Sequence, residues 1–70
     1  MRYAIVIENA GPNYSAYVPD LPGCVAAAKT RAQVVKLIHR AIGFHIEGLK
    51  KDGERVPKAR SSVEFVEVAA

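Results

Sequence analysis

The sequence has little with which to stabilise a domain covalently. Its 70 residues contain a single cysteine, Cys24, so an internal disulfide cannot form. A chain of this length that folds alone buries only about 60% of the surface that its unfolded state exposes. Stability must therefore come from packing, either within one small core or against partner chains.

Long apolar runs are also missing. The apolar stretch near the N-terminus, Tyr3 to Ile7, ends at Glu8 and is much shorter than a membrane span or a signal-peptide core. We therefore expect a cytoplasmic protein with no membrane contact.

The net charge of +3 permits weak attraction to nucleic acid but falls short of a dense basic surface. Apolar residues make up 50% of the chain and charged residues 24%, which is typical of a folded domain, so residues 1–70 are expected to form one.

Motifs that would indicate catalysis are missing as well. The chain has no Gly-rich phosphate loop, no Cys-x-x-Cys pair and no serine-centred elbow. His39 and His45 lie on a predicted helix about 240° apart around its axis, so they cannot hold one metal ion together. Asp20 is more typical of a carboxylate that bonds its own turn backbone than of a base or metal ligand. We expect no enzyme activity, no catalytic residue, no cofactor and no metal site.

The first half of the chain predicts three strands. Residues 2–9 are rich in β-branched and aromatic side chains, residues 10–13 supply turn chemistry, and residues 14–18 resume an alternating pattern, which together predict a β-hairpin. In the run Leu21-Pro22-Gly23-Cys24, proline and glycine occupy the positions that a type II turn favours. A third strand should follow at about residues 24–29, with Cys24 as a small buried residue and not a reactive thiol.

A long helix is predicted after the third strand. Thr30 and Gln33 match a capping box at its start, and Gly53, after Asp52, can take the left-handed conformation of a helix C-terminus. Further on, the β-branched and aromatic residues of Ser62–Val68 predict a fourth strand. The expected order βββαβ is an α+β two-layer sandwich, with one helix packed on a mainly antiparallel sheet.

The predicted helix carries an apolar stripe wider than one face usually needs. At about 100° per residue, the stripe spans about 200°. It consists of Val34, Val35, Leu37, Ile38, Ala41, Ile42, Phe44, His45, Ile46 and Leu49. Two explanations carry equal weight: a helix sunk deep in a small core, or a stripe that partly covers another chain. An open sheet edge would also invite strand addition, so self-association is expected.

The opposite face of the helix is predominantly basic. It carries Lys36, Arg40, Lys50 and Lys51 together with Glu47, and the wheel places no aromatic side chain between them. Most such faces are simply solvated, and stacking on aromatic residues is the usual companion of charge in single-strand binding. Nucleic-acid binding by this basic face is therefore an alternative function and not the preferred one.

Three stretches together resemble a known family. Residues 17–24 read Tyr-Val-Pro-Asp-Leu-Pro-Gly-Cys, residues 41–49 read Ala-Ile-Gly-Phe-His-Ile-Glu-Gly-Leu, and residues 52–57 read Asp-Gly-Glu-Arg-Val-Pro, with Thr30 between the first two. This combination is similar to the N-terminal domain of HicB-like antitoxins over nearly the whole chain.

The resemblance implies both a fold and a partner. It implies a βββαβ domain related to a degraded ribonuclease-H-like fold, without nuclease activity. It implies a partner, a HicA-type toxin that cleaves messenger RNA and is neutralised by direct contact, and assembly as a homodimer or tetramer. Longer family members append an operator-binding domain. Because this chain ends at Ala70, operator binding by it alone is not expected.

The partner-binding surface is expected to draw on two of the matching stretches. Tyr17, Pro19, Asp20 and Leu21 come from the first, and Phe44 and Ile46 come from the helix. A residual ribonuclease-H-type nuclease that uses Asp20 and other strand acids remains as a third hypothesis, ranked below both binding functions.

Overall fold

Three antiparallel strands and one helix make up the fold of the computed structural model, which describes residues 1–69. The elements are β1 (Val6–Ala10), β2 (Asn13–Tyr17), β3 (Val25–Ala28) and α1 (Arg31–Lys51). The strands form one sheet in the order β1-β2-β3, and α1 packs against β2 and β3. The predicted α+β architecture, one helix on an antiparallel sheet, is confirmed.

The β1–β2 hairpin turns on two residues. Ala10 pairs with Asn13, so Gly11 and Pro12 form the loop between the strands. Gly11 has φ 78°, which suits the first loop position of a type II′ turn. The predicted hairpin is confirmed, although β1 starts at Val6 and not at residue 2.

The turn between β2 and β3 follows its predicted chemistry. The Cys24 amide donates to the Leu21 carbonyl at 3.0 Å, and Gly23 has φ 83°, as a type II turn requires. The Val18 amide donates to the Cys24 carbonyl at 3.2 Å, which closes the loop onto the end of β2. The turn thereby directs Leu21 and Cys24 into the core.

Both ends of α1 are capped by local hydrogen bonds. The Thr30 hydroxyl accepts from the Gln33 amide at 3.1 Å. At the other end, the Gly53 amide donates to the Lys50 carbonyl at 3.1 Å and the Glu54 amide donates to the Leu49 carbonyl at 2.9 Å. This pattern, with Gly53 at φ 71°, is a Schellman motif. The predicted start and end of the helix are confirmed.

The core lies between the helix and the inner face of the sheet. The side chains that are buried there come from β2, the turn and the first half of α1: Ala16, Val18, Leu21, Cys24, Val34 and Ile38. Half-buried residues from β1, β3 and the middle of the helix pack around them. The core is small, and it leaves both sides of the apolar stripe of α1 only partly covered.

The fourth strand predicted at residues 62–68 is not formed in the single chain. Within residues 1–69, the part that follows α1 contains neither a strand nor a second helix, and residues 58–69 are exposed. β-branched residues favour a strand only where a neighbouring edge pairs with them. The prediction was wrong on this element because composition cannot show whether an edge within the same chain is reached.

Candidate partner-binding surfaces

Asp20 links the segment after α1 to the turn between β2 and β3 through hydrogen bonds. Its Oδ2 accepts from the backbone amides of Arg60 and Ser61, each at 2.8 Å, and its Oδ1 accepts from the Ser61 hydroxyl at 2.9 Å. These bonds, first the one from the Ser61 amide and then the one from the Arg60 amide, hold the pKa of Asp20 below its ordinary value. The prediction that Asp20 bonds its own turn backbone was therefore wrong, since its partners lie 40 and 41 residues away.

A second contact supports the same path of the chain. The Tyr3 hydroxyl donates to the Pro57 carbonyl, and Val56 and Pro57 are half-buried. Sequence reasoning assigned no role to Tyr3, Arg60 or Ser61 in these contacts. No local pattern indicates them, because each bond joins residues that are far apart along the chain.

The two other predicted residues of this turn have different environments. Leu21 is fully buried in the core, so its contribution is to hold the turn in place. Pro19 is exposed on one wall of an open groove that also includes Asp20 and Pro22. The facing wall carries Arg55, Lys58 and Arg60, which give the groove a net positive charge. An acidic side chain of a partner is the chemistry that fits there.

Tyr17 lies on the outer face of the sheet, away from the helix. Side chains alternate across a strand, and its neighbour Ala16 is buried under α1. Tyr17 is 42% exposed and sits between Val6 on β1 and Val25 on β3, its partners in the strand register. This row of three apolar residues is a modest patch on an otherwise uncovered sheet face.

Phe44 lies on the outer side of α1. Phe44 is 81% exposed, and Leu37, two helical turns earlier on the same side of α1, is 42% exposed. The sheet therefore leaves this flank of the stripe uncovered. Tyr17 and Phe44 belong to opposite layers of the sandwich, so the predicted partner-binding residues do not form one continuous surface.

Ile46 lies on the other flank of the stripe. Together with Val35 and Ile42 it lines a groove between α1 and the N-terminal stretch that contains Tyr3 and Ile5. This open space, called here the β1-side groove, measures about 530 Å³ and is mainly apolar. The helix therefore has apolar side chains that are exposed or only half-buried on both sides of the part that the sheet covers.

The basic face of the helix is arranged differently from the wheel prediction. Lys36, Arg40, Lys50 and Lys51 are all exposed, as expected. Phe44, however, borders a groove together with Lys50 and Lys51, and it lies about 40° from Arg40 and about 20° from Lys51 around the helix. The prediction that no aromatic side chain accompanies the basic residues was wrong. An exposed aromatic ring therefore borders the basic residues, in a groove that also includes Glu47.

The remaining candidate residues have structural environments. Cys24 is 3% exposed, and burial raises the pKa of its thiol, which keeps it protonated and unreactive. The prediction of a small buried cysteine is confirmed. His39 is exposed and His45 is half-buried. Among residues 1–69, no group of three or more histidine, cysteine or acidic side chains is placed to hold a metal ion, and no helix is both long and apolar enough to cross a membrane.

These features define a small α+β sandwich with exposed apolar and basic surfaces. Comparison with known proteins places it in a family. The model of the HicB-like antitoxins of bacterial toxin-antitoxin systems matches residues 3–69. The chain belongs to this family.

Similar proteins come from a phage, from archaea and from a solved complex. An uncharacterized 14.9 kDa protein from the rep-hol intergenic region of Haemophilus phage HP1 is 38% identical over 66 residues, which cover 94% of this chain and 50% of that protein. The chain thus spans about half the length of this relative. A UPF0150 protein of Thermoplasma acidophilum is 37% identical over 59 residues, covering 83% of this chain and 86% of that protein.

The structural match is to a chain in a HicA3 and HicB3 toxin-antitoxin complex. It has a TM-score of 0.73 and 32% sequence identity, and it covers 86% of this chain and 70% of that chain. The resemblance to the HicB-like antitoxins is therefore supported by both sequence and fold.

Proposed function

We propose that this protein is a binding module that neutralises a HicA-type, mRNA-cleaving toxin in the cytoplasm by direct contact. The observation that carries the proposal is the match, in fold and in sequence, to a chain of a toxin-antitoxin complex. Catalysis has no part in it. In this proposal Asp20 has a structural role, because its carboxylate accepts hydrogen bonds from Arg60 and Ser61.

The contact surface that we favour is the outer flank of α1 around Phe44. Tightly bound interfaces depend on a few anchors, among which aromatic residues and arginine are enriched. Phe44 supplies the aromatic anchor, and Arg40, one turn earlier, supplies the cation. Of the predicted partner-binding residues, Tyr17 offers a smaller exposed area on the sheet face and serves as the comparison.

The test is the affinity for the toxin-like protein encoded next to this chain, measured by calorimetry with an inactive toxin variant. Replacing an aromatic anchor with alanine costs about 2 kcal/mol or more. Phe44→Ala should therefore weaken binding at least about 30-fold, since 1.4 kcal/mol is a factor of ten. Tyr17→Ala is the matched control and should remain within about threefold of the unchanged protein.

Two results would count against this proposal. If no complex forms at micromolar concentrations, the antitoxin function is wrong for this chain. If Tyr17→Ala weakens binding more than Phe44→Ala does, the function stands but the interface lies on the outer face of the sheet.

A second candidate function has a specific observation in its favour. Phe44, which shares a groove with Lys51 and lies one turn after Arg40, combines a stacking surface with cations, the pairing that proteins use to hold single-stranded nucleic acid. Phosphate contact makes affinity fall steeply with salt, by about 0.7 in logarithmic slope for each contact to a single strand. Binding to a short RNA whose salt slope becomes smaller in Arg40→Gln and Lys51→Gln would favour this function.

A further inference from the structure

An open groove between the β2–β3 turn and the chain that follows α1 combines apolar walls with positive charge. It is called here the proline groove, because Pro19, Pro22 and Pro57 are among its lining residues. It measures about 820 Å³, compared with about 530 Å³ for the β1-side groove. This volume lies within the range of about 300–1,000 Å³ that is typical of ligand sites. The proline groove is therefore large enough for an occupant of more than one side chain.

Hydrogen bonds hold both walls of the proline groove in place. On one side, the Cys24 amide donates to the Leu21 carbonyl at 3.0 Å, which closes the turn. On the other side, the backbone amides of Arg60 and Ser61 donate to Asp20, each at 2.8 Å, and so tie the two walls together. Proline rings restrict the backbone further. Walls that are fixed before binding spare the occupant the cost of ordering them.

The proline groove carries more positive than negative charge. Arg55, Lys58 and Arg60 line it and are exposed. Within the described chain, Asp20 is the one acidic residue among the lining residues, so three cations and one carboxylate leave a net charge of +2. Asp20 already accepts three hydrogen bonds from residues 60 and 61. The groove therefore has more cationic donors than its own carboxylate can neutralise, and it favours an anionic occupant.

The lining of the proline groove fits a polypeptide better than a nucleic acid. Proteins that hold single-stranded nucleic acid stack the bases on aromatic side chains, and none of the described residues that line this groove is aromatic. The Asp20 carboxylate would also lie next to the phosphates and repel them. Pro19 and Pro22 present apolar rings without an amide donor, a surface suited to small apolar side chains. The carboxylates of a peptide are therefore the anions that match this groove.

An extended peptide presents a different face to each wall. Successive side chains of an extended chain point to opposite sides, so residues two apart share a side and lie about 6.6 Å from each other. Acidic side chains at every second position then face Arg55, Lys58 and Arg60, whereas the residues between them face Pro19 and Pro22. Arginine binds a carboxylate through two parallel N–H bonds, which fixes the orientation of the peptide as well as attracting its charge.

We propose that the proline groove binds an extended segment of a partner protein in which acidic residues alternate with small apolar residues. This inference goes beyond toxin neutralisation. The proline groove and the groove beside Phe44 have no lining residue in common. The acidic segment therefore binds whether or not the protein that carries it is a toxin.

The test is a titration of the full, isotope-labelled chain with a synthetic peptide of about eight residues that alternates glutamate and alanine, followed by amide chemical shifts. We expect saturable shifts at Arg55, Lys58 and Arg60, with a dissociation constant of about 0.1 mM at about 0.01 M salt. Affinity should fall at least about fivefold at about 0.15 M salt, where the Debye length shortens from about 30 to about 8 Å. A peptide of the same composition, with all glutamates before all alanines, should bind at least about fivefold more weakly, because its acidic residues cannot all face one wall.

Substitutions assign the binding to individual side chains. Arg55→Gln and Arg60→Gln should each weaken binding about three- to fivefold, the usual effect of one exposed charge pair. Arg60→Gln keeps the backbone amide that donates to Asp20, so the wall itself is preserved. Lys36→Gln, at an exposed cation of α1 outside the groove, is the matched control and should leave the affinity unchanged. Because all three side chains are exposed, the helical circular dichroism of each variant should match that of the unchanged protein.

Three results would overturn the proposal. The first is a titration without saturation up to about 1 mM peptide. The second is equal affinity for the alternating and the rearranged peptide, or equal losses in Lys36→Gln and Arg55→Gln, since either would mean attraction to the net charge of the chain alone. The third is a single-stranded RNA of the same charge that binds more tightly than the peptide and loses affinity in Arg55→Gln and Arg60→Gln, which would make a phosphate backbone the occupant.

Discussion

At the scale of single residues, Asp20 determines where the chain goes after the helix. It receives two backbone amides and one hydroxyl from residues 60 and 61, and so ties the chain beyond α1 to the turn between β2 and β3. The same carboxylate faces solvent on its remaining side, next to the groove lined by Arg55 and Lys58. Its ionisation is therefore linked to the position of the chain that leads to residues 62–68.

We expect acid to release this anchor. The folded state lowers the pKa of Asp20 from its ordinary value of 3.8, so the ionised form is favoured in the folded protein. The stabilisation is present above the unfolded pKa and is lost as the pH falls through the lower, folded pKa. The protection factors of the Arg60 and Ser61 amides, which compare their exchange with that of an unstructured chain at the same pH, should therefore fall below about pH 4, while those of the Val34 and Ile38 amides stay high.

Substitution provides the control for this prediction. Asp20→Asn should give fast exchange at Arg60 and Ser61 even at neutral pH, because a neutral amide oxygen is a weaker acceptor than a carboxylate. Glu8→Gln, which removes an exposed strand carboxylate, should leave both amides as they are. Unchanged exchange in Asp20→Asn would mean that Tyr3 and Pro57 hold this part of the chain without Asp20.

At the scale of secondary structure elements, the predictable features are those that local hydrogen bonds determine. The Thr30 cap joins residues three apart, and the Gly53 motif closes within five residues. The Pro22-Gly23 turn is equally local. The sequence predicts these caps and turns, because the donor and the acceptor of each hydrogen bond lie within five residues of each other.

The N-terminal cap of α1 gives a direct test at this scale. Thr30→Ala removes the hydroxyl that accepts from the Gln33 amide and should lower the free energy of unfolding by about 1 kcal/mol in urea denaturation at a fixed protein concentration. Thr30→Ser keeps the hydroxyl and should cost less than half as much. Equal losses in both variants would show that the methyl group of Thr30 and not its hydroxyl stabilises the helix.

The elements that the sequence does not predict depend on contacts across the molecule. Residues 62–68 have strand propensity, but a strand forms only where an edge accepts its hydrogen bonds. The hydrogen bonds between Asp20 and Ser61 join residues 41 positions apart, and no local sequence pattern around either residue predicts them. For the same reason, the wheel placed Phe44 in the apolar stripe but could not show that the sheet stops short of it.

At the scale of the whole molecule, the helix has more apolar surface than three strands can cover. Val34 and Ile38 are buried, whereas Phe44 and Leu37 on one flank and Val35 on the other are exposed. Of the two explanations for the wide stripe, a helix sunk deep in a small core does not agree with these exposed flanks. The two flanks face different directions, with Phe44 on the outer side of α1 and the β1-side groove next to the sheet edge.

This separation predicts that the two flanks of the stripe act independently. Phe44→Ala should weaken binding of the inactive toxin and leave the free energy of unfolding unchanged, because Phe44 is 81% exposed. Ile42→Ala, in the β1-side groove, should lower the free energy of unfolding by more than about 1 kcal/mol and leave the affinity within about twofold, because Ile42 packs against the core. Calorimetric titration and urea denaturation of the unchanged protein, the two single variants and the double variant complete the cycle. A coupling energy in binding above about 1 kcal/mol would mean that the toxin contacts both flanks, which would then form one composite site.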